Sequence, residues 1–251
     1  MNISASDARL RLNRDPHWCI YALGDLDSRR ESHCTWFGGD DDSVALVYRE
    51  FDTPILFGSG STAALEAAMC ELDYFFVQIP LEHLDTVAAN NSLVWTRLMH
   101  RMRLDATNFR PVDSNAATLL HAEDETDIRT LYADGADRRE SPDFFFASQL
   151  DDATFHGIRL ADGTLVAAGG THLYSAQEGI AAIGNIYTHR DHRSRGYAAA
   201  ITSAIAQSLL DRGIQTIALN VKQGNDGARR IYERLGFRHY RDYWEGLTGV
   251  S

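Results

Sequence analysis

The chain has 251 residues, 44% of them hydrophobic and 24% charged, with a net charge of −11; this is enough apolar material for one large domain or two small ones with real cores. No apolar run is long enough to span a bilayer, and no Arg-rich leader or apolar signal segment opens the sequence, so a cytoplasmic protein without membrane contacts is expected. Cys19, Cys34 and Cys70 are odd in number and lack paired metal spacing, which fits a reducing compartment rather than a disulfide framework.

Val44 to Tyr48 and Pro54 to Phe57 read as two strands of a meander, joined by a polar turn at Glu50 and Asp52. Ala63 to Leu72 has helical composition. Phe75 to Ile79 reads as a strand ended by Pro80, and Leu81 to Ala89 as a further helix. Leu93 to Leu104 mixes the two periods and stays undecided. Apolar periodicity lapses from Asn108 to Ala116, the best boundary between a domain at 1–110 and another at 111–251. Beyond it, Thr118 to Ala122 reads as a strand. Asp124 or Thr126 caps a helix through Ile128, Leu131 and Tyr132, and Ser141-Pro142-Asp143 opens another. Thr154 to Leu160 and Leu165 to Thr171 form a hairpin about Asp162-Gly163. Ile180 to Thr188 is a strand, and a helix after Gly196 aligns Ile201, Ile205 and Leu209 on one face. A strand at Ile214 to Val221, a helix and a last strand near Tyr243 and Trp244 complete an α/β chain.

The charge is unevenly placed. From Ile186 onward there are ten Lys/Arg and six Asp/Glu, a balance of +4, which leaves −15 for the preceding residues. A basic module on an acidic remainder points to an anionic ligand in the C-terminal part and argues against nucleic-acid binding, which needs an extended basic face. The place for that anion is Arg193-Ser194-Arg195-Gly196-Tyr197-Ala198, a basic Gly turn between a strand and a helix. The first helical N–H groups have no internal partner, the helix dipole adds partial positive charge, and Gly196 admits a bulky ligand close to the backbone. A phosphate or diphosphate matches.

This R-x-x-G-x-A turn resembles the acyl-CoA motif of the GCN5-related N-acetyltransferases (GNAT). The strand before it matches too, and Asn225-Asp-Gly-Ala-Arg-Arg-Ile-Tyr-Glu-Arg-Leu-Gly-Phe237 is similar to the family's closing signature, N-x-x-A-x-x-x-Y-x-x-x-G-F. The resemblance covers about Thr118 to Gly246. It implies a GNAT acyl-CoA N-acyltransferase fold there. The N-terminal part, without such a turn, resembles the smaller, degenerate GNAT-like half of two-domain members with an FR47-like C-terminal domain, such as the glycine N-acyltransferases.

The resemblance implies acetyl-CoA as co-substrate and a small-molecule or peptide amine as acceptor. Backbone at Ile186, Tyr187 and Thr188 would meet pantetheine. Arg193, Ser194, Arg195, Gly196, Tyr197 and Ala198 would hold the diphosphate, with Asn225 and Ala228 contacting the cofactor. Ser194 stands where glycine is common, which costs conformational freedom if φ is positive there; Arg190 replaces a common proline. Tyr232 is the implied general acid, since a phenol is protonated at neutral pH; packing in the core with a backbone hydrogen bond is its other reading. For the general base the choice stays open among His172, Glu178, Asn185 and His189, on or beside the strands that should flank the acceptor site, with contact to the amine direct or through water. His189, His192 and Asp191 invite a metal reading, but no metal is expected. Gly58-Ser59-Gly60-Ser61 reads as a turn rather than a phosphate loop, Asp40-Asp41-Asp42 as a solvated turn rather than a cation site. Trp18, Trp36, Trp95 and Trp244 read as core or domain-interface residues. The protein is expected as a monomer or homodimer, and a CoA-binding sensor without catalysis is the rival reading.

Overall fold

The computed structural model describes residues 1–40, 42–138, 140–142 and 144–249. In chain order they form α1 (Ala5–Leu12), α2 (Ile20–Gly24), β1 (Cys34–Gly38), β2 (Val44–Tyr48), β3 (Ile55–Ser59), α3 (Thr62–Met69), β4 (Phe76–Pro80), α4 (Leu84–Asn90) and β5 (Leu93–Leu104). There follow β6 (Thr118–Leu119), α5 (Glu125–Ala133), β7 (His156–Arg159), β8 (Leu165–Ser175), β9 (Ile180–Thr188), α6 (Tyr197–Asp211), β10 (Thr216–Lys222), α7 (Asp226–Arg234) and β11 (Arg238–Thr248). The undecided segment at Leu93 is thus one long strand. The sequence-based boundary at residue 110 differs from the observed division. One compact unit holds Met1–Arg101, Val221–Asn225 and His239–Ser251, and the other Met102–Asn220 and Asp226–Arg238. The reason is β11, which pairs with β4 from Tyr243↔Pro80 to Leu247↔Phe76 and so completes the first unit from the chain's far end.

In the first unit β1, β2 and β3 are antiparallel neighbours, and α3 carries the chain to β4, parallel to β3. The apolar side of α3 (Ala64, Leu65, Ala68, Met69) closes a core with Phe37, Val47, Leu56, Val77 and Ile79. Trp18 and Trp36 are buried and Trp244 packs on this core, whereas Trp95 is 38% exposed and is no core residue. Its ring lies under the Arg97 guanidinium, 5.2 Å away. Arg101 is fully buried, with its guanidinium over the rings of Trp18, Tyr21 and Tyr243 at 4.9–5.2 Å.

The second unit repeats the same plan. β7, β8 and β9 are antiparallel neighbours, and α6 leads to β10, parallel to β9. Ile201, Ile205 and Leu209 of α6 are fully buried, as their spacing requires. The helix expected at Ser141 does not form. The Ser141 hydroxyl donates to the Tyr132 carbonyl instead of capping, the Phe144 carbonyl accepts from the Asn185 side chain (3.1 Å), and only a short 3₁₀ turn, Ala147–Leu150, follows; Asp143 lies outside the described residues.

The turns that open α3 and α6 differ. Gly60 and Gly196 both have left-handed φ, +84° and +82°. A Cβ on Gly60 would sit 2.7 Å from the Asp42 carbonyl and the Ser43 Cα, whereas one on Gly196 meets no atom of the described residues within 4 Å. The Asp40 carboxylate bonds the hydroxyls of Ser61, the N-cap of α3, and Ser43, which hold it below the usual carboxylate range. Arg11 donates to the Ser43 carbonyl at 2.7 Å and fixes the same loop. The first unit therefore fills its own helix-opening turn with backbone and an internal carboxylate; Asp41 of the acidic triplet lies outside the described residues.

Candidate active site

The Arg193–Ala198 turn is built by two left-handed residues. Arg193 is extended (φ −68°, ψ 167°), Ser194 has φ +62°, and Gly196 has φ +82° and ψ 0° as the N-cap of α6. Glycine pays nothing for that conformation; serine at Ser194 costs about 1 kcal/mol there. The first bond of α6 runs from the Ala200 N–H to the Gly196 carbonyl at 3.0 Å, so the N–H groups of Tyr197, Ala198 and Ala199 precede it. Fifteen aligned residues stand behind them.

Acidic residues of the α5 side pin the turn. Arg190 pairs with Asp134 (2.7 Å) and Asp137 (3.0 Å), and its N–H also donates to Asp134 at 3.0 Å. The Tyr187 hydroxyl donates to Asp134 at 2.8 Å. Desolvation pushes the Asp134 carboxyl up, but these donors outweigh it and hold it at about 2. Arg193 pairs with Glu140 at 2.5 Å, donates to the Thr188 carbonyl at 3.2 Å and lies over the Tyr187 ring. Its charge is therefore partly neutralised. Arg195 is exposed and makes no ion pair among the described residues. Asp134, Asp137 and Glu140 were missed from sequence; no local pattern ties them to arginines more than fifty residues away.

β9 approaches the turn with a break in its ladder. β10 pairs with it from Thr216↔Ile180 to Leu219↔Ile183, and among the described residues no further. Asn185 then takes φ +56°, a conformation that asparagine tolerates better than most residues. Its side chain is nearly buried. Nδ2 donates to the Phe144 carbonyl and to Gln149 Oε1 (3.0 Å), Oδ1 meets His172 Nε2 at 2.9 Å, and its own carbonyl accepts from the Tyr132 hydroxyl at 2.7 Å. Ile186, Tyr187 and Thr188 lie beyond this bulge, held by β8 through Ala168↔Tyr187 and Ala167↔Thr188. Their other edge has no paired strand among the described residues.

Tyr232 sits on α7, 9% exposed, its ring centroid 6.1 Å from that of Phe237. Burial pushes its hydroxyl up to about 12, so it keeps its proton through the neutral range. Gly236 ends α7 with φ +101°, and a Cβ there would lie 1.9 Å from the Asn108 carbonyl; only glycine fits. Ala228 lies on α7 and Asn225 just before it, with the Asn225 N–H donating to the Lys222 carbonyl at 3.0 Å; Asn225 belongs to the first unit and the rest of the motif to the second.

Among the residues left open as bases, Asn185 is a buried amide and accepts no proton at neutral pH. Glu178 sits before Ile180, so the length of β9, about 26 Å at some 3.3 Å per residue, separates it from the turn. His172 and His189 remain. His189 has Nε2 3.4 Å from Asp134, and its ring lies 5.5 Å from that of His192.

Residues 120–237 match the model of the acetyltransferase (GNAT) family. This stretch belongs to that family. Among solved structures, a GNAT-family acetyltransferase of Novosphingobium aromaticivorans aligns over 91% of this chain and 96% of its own, with a TM-score of 0.67 and 21% identity. A GCN5-related N-acetyltransferase of Kribbella flavida aligns over 93% of this chain and 95% of its own, with a TM-score of 0.61 and 20% identity. At such identities the likeness establishes the GNAT fold across both units, and nothing of substrate. N-alpha-acetyltransferase 30 of Schizosaccharomyces pombe is 38% identical over 61 residues, which is 23% of this chain and 41% of that protein. No helix among the described residues is long and apolar enough to cross a membrane.

Proposed function

We propose that the GNAT domain transfers the acetyl group of acetyl-CoA directly to a primary amine. One observation carries the reading: the turn at Ser194 and Gly196 opens a fifteen-residue helix, and the space a Cβ would occupy at Gly196 is clear of atoms of the described residues. That fits a diphosphate bound by backbone N–H groups, with Arg193 and Arg195 adding charge. The edge of Ile186–Thr188 that lacks a paired strand among the described residues supports an extended pantetheine arm bonding there as an added strand would.

Acetyl-CoA supplies an activated thioester. The chain's own residues would do the rest. A backbone N–H at Ile186–Thr188 stabilises oxyanion charge on the carbonyl. Tyr232 holds a proton for the departing sulfur, and His172 or His189 takes the proton released by the amine, directly or through water. Asn225 and Ala228 contact the co-substrate at the head of α7. The partial relative named for N-terminal acetylation puts peptides with free α-amines beside amino acids and polyamines as acceptors to assay.

Release of CoA thiol from acetyl-CoA, measured against that panel, tests the activity. Gly196→Val should weaken acetyl-CoA binding at least about tenfold, because the new side chain enters the anion site; its left-handed φ of +82° also strains valine, so the melting temperature should fall while far-ultraviolet dichroism at the assay temperature shows the fold retained. Equal calorimetric affinity would remove the basis for the reading. The burial of Tyr232 favours one second reading, a CoA-binding sensor: tight binding with no thiol release from any amine would select it.

A further inference from the structure

The first unit brings two imidazoles and a carboxylate to one point, two of them just past the closing signature that ends at Phe237. His100 lies on β5, His239 and Asp242 on β11, and these strands are neighbours in the sheet. His100 Nδ1 and His239 Nε2 each stand 2.6 Å from the same oxygen, Asp242 Oδ1, and the three ligand atoms lie within 4.8 Å of one another. Residues three apart on a flat strand face opposite sides, so the meeting of His239 and Asp242 requires the start of β11 to depart from regular alternation. Their side chains grade from 18% exposed at His100 through 34% at Asp242 to 55% at His239. The cluster thus has one fixed wall and one open side.

We propose that His100, His239 and Asp242 form a binding site for a divalent transition-metal ion of the zinc class. Two imidazole nitrogens with one carboxylate oxygen are borderline donors, suited to Zn²⁺, Co²⁺ or Ni²⁺ rather than to Mg²⁺ or Ca²⁺, which prefer all-oxygen sets. Among the described residues no Lys or Arg pairs with Asp242, so a neutral-imidazole form of the trio carries one negative charge for a dication to offset. A tetrahedral ion with bonds of about 2.0–2.1 Å places its donors about 3.3 Å apart. Each 2.6 Å contact would open by roughly 0.7 Å, a shift that the exposed His239 ring can make by rotating about its side-chain bonds. Water would complete the coordination from the open side. The proposal does not depend on the acetyl-transfer reading.

The experiment is a calorimetric titration of untagged, chelator-treated full-length protein with zinc chloride, repeated with Asp242→Asn, His239→Ala and the pair together. The expected result is one Zn²⁺ per chain, with affinity lowered at least about tenfold by each single change and lost in the double variant. Cobalt chloride should give the visible absorption bands of a tetrahedral site in the parent protein only. His239 is the most exposed of the three, so His239→Ala keeps the fold, as thermal melting will verify, and keeps the test decisive. No saturable zinc binding by the parent, or the same affinity in parent and double variant, would overturn the site and leave a hydrogen-bonded His–Asp–His cluster. Magnesium chloride binding there as tightly as zinc would overturn the assigned ion class.

Discussion

Tyr232 shows how far a single residue can be read from spacing. The N-x-x-A-x-x-x-Y pattern places it on the helix, and the structure adds that it is buried and that its hydroxyl is pushed up to about 12. A phenol in that state stays protonated at neutral pH, so it is available to donate a hydrogen bond to the sulfur as negative charge develops on it. Tyr232→Phe should lower kcat roughly a hundredfold with nearly unchanged acetyl-CoA affinity; an unchanged kcat, with the chemical step shown to limit turnover, would assign the ring to packing alone. Gly196 was equally legible, because a basic turn that opens a helix asks for a residue with free φ. Arg193 was legible as a charge but not as half of an ion pair. Its partner Glu140 lies 53 residues away, and the Asp134 partner of Arg190 lies 56 away. Contacts over such separations belong to tertiary packing, which no local pattern encodes.

Among the elements, those with clean periodicity were legible almost to the residue: β2, β9 and α6 occupy the segments that alternation and 3.6-residue spacing assign. Ser141 misled because its hydroxyl and the Phe144 carbonyl serve tertiary partners, the second within the Asn185 network that bends β9. The connection from β9 to α6 is fastened by Asp134, and that fastening has a pH window. Its folded-state carboxyl sits near 2, below the ordinary 3.8, so its contribution is complete above about pH 4 and fades as pH falls toward 2. Asp134→Asn should be less stable than the parent at neutral pH, and the difference in Tm should shrink between about pH 4 and pH 2. Two melting curves that stay parallel over that interval would remove Asp134 from this role.

For the whole molecule, two units share one strand order, yet only one keeps an open helix-opening turn. Gly60 has the same left-handed φ as Gly196, but Asp42 and Ser43 occupy its free side and Asp40 puts a carboxylate at the N-cap of α3. An anion would meet repulsion and filled space there. Titration with acetyl-CoA should give one bound molecule per chain; two would mean that the first unit binds as well. The acidic Asp40 triplet hinted at this from sequence only as a turn, because the opposition of Gly39–Ser43 to α3 is a tertiary fact. A fragment that ends at Asn108 should melt without a cooperative transition, since it lacks β11 and with it the fully buried Tyr243. A cooperative melt of that fragment would show that the first unit closes without its distant strand.

The division of the chain has a spectroscopic consequence. Trp18, Trp36, Trp95 and Trp244, the four tryptophans of the sequence, all fall in the first unit, and the second contains none. Indole emission excited at the red edge of the near-ultraviolet band therefore reports the unfolding of the first unit alone. Far-ultraviolet dichroism sums both units, so the gap between the two signals in a denaturant titration measures directly whether the GNAT domain and its N-terminal companion come apart together or in turn.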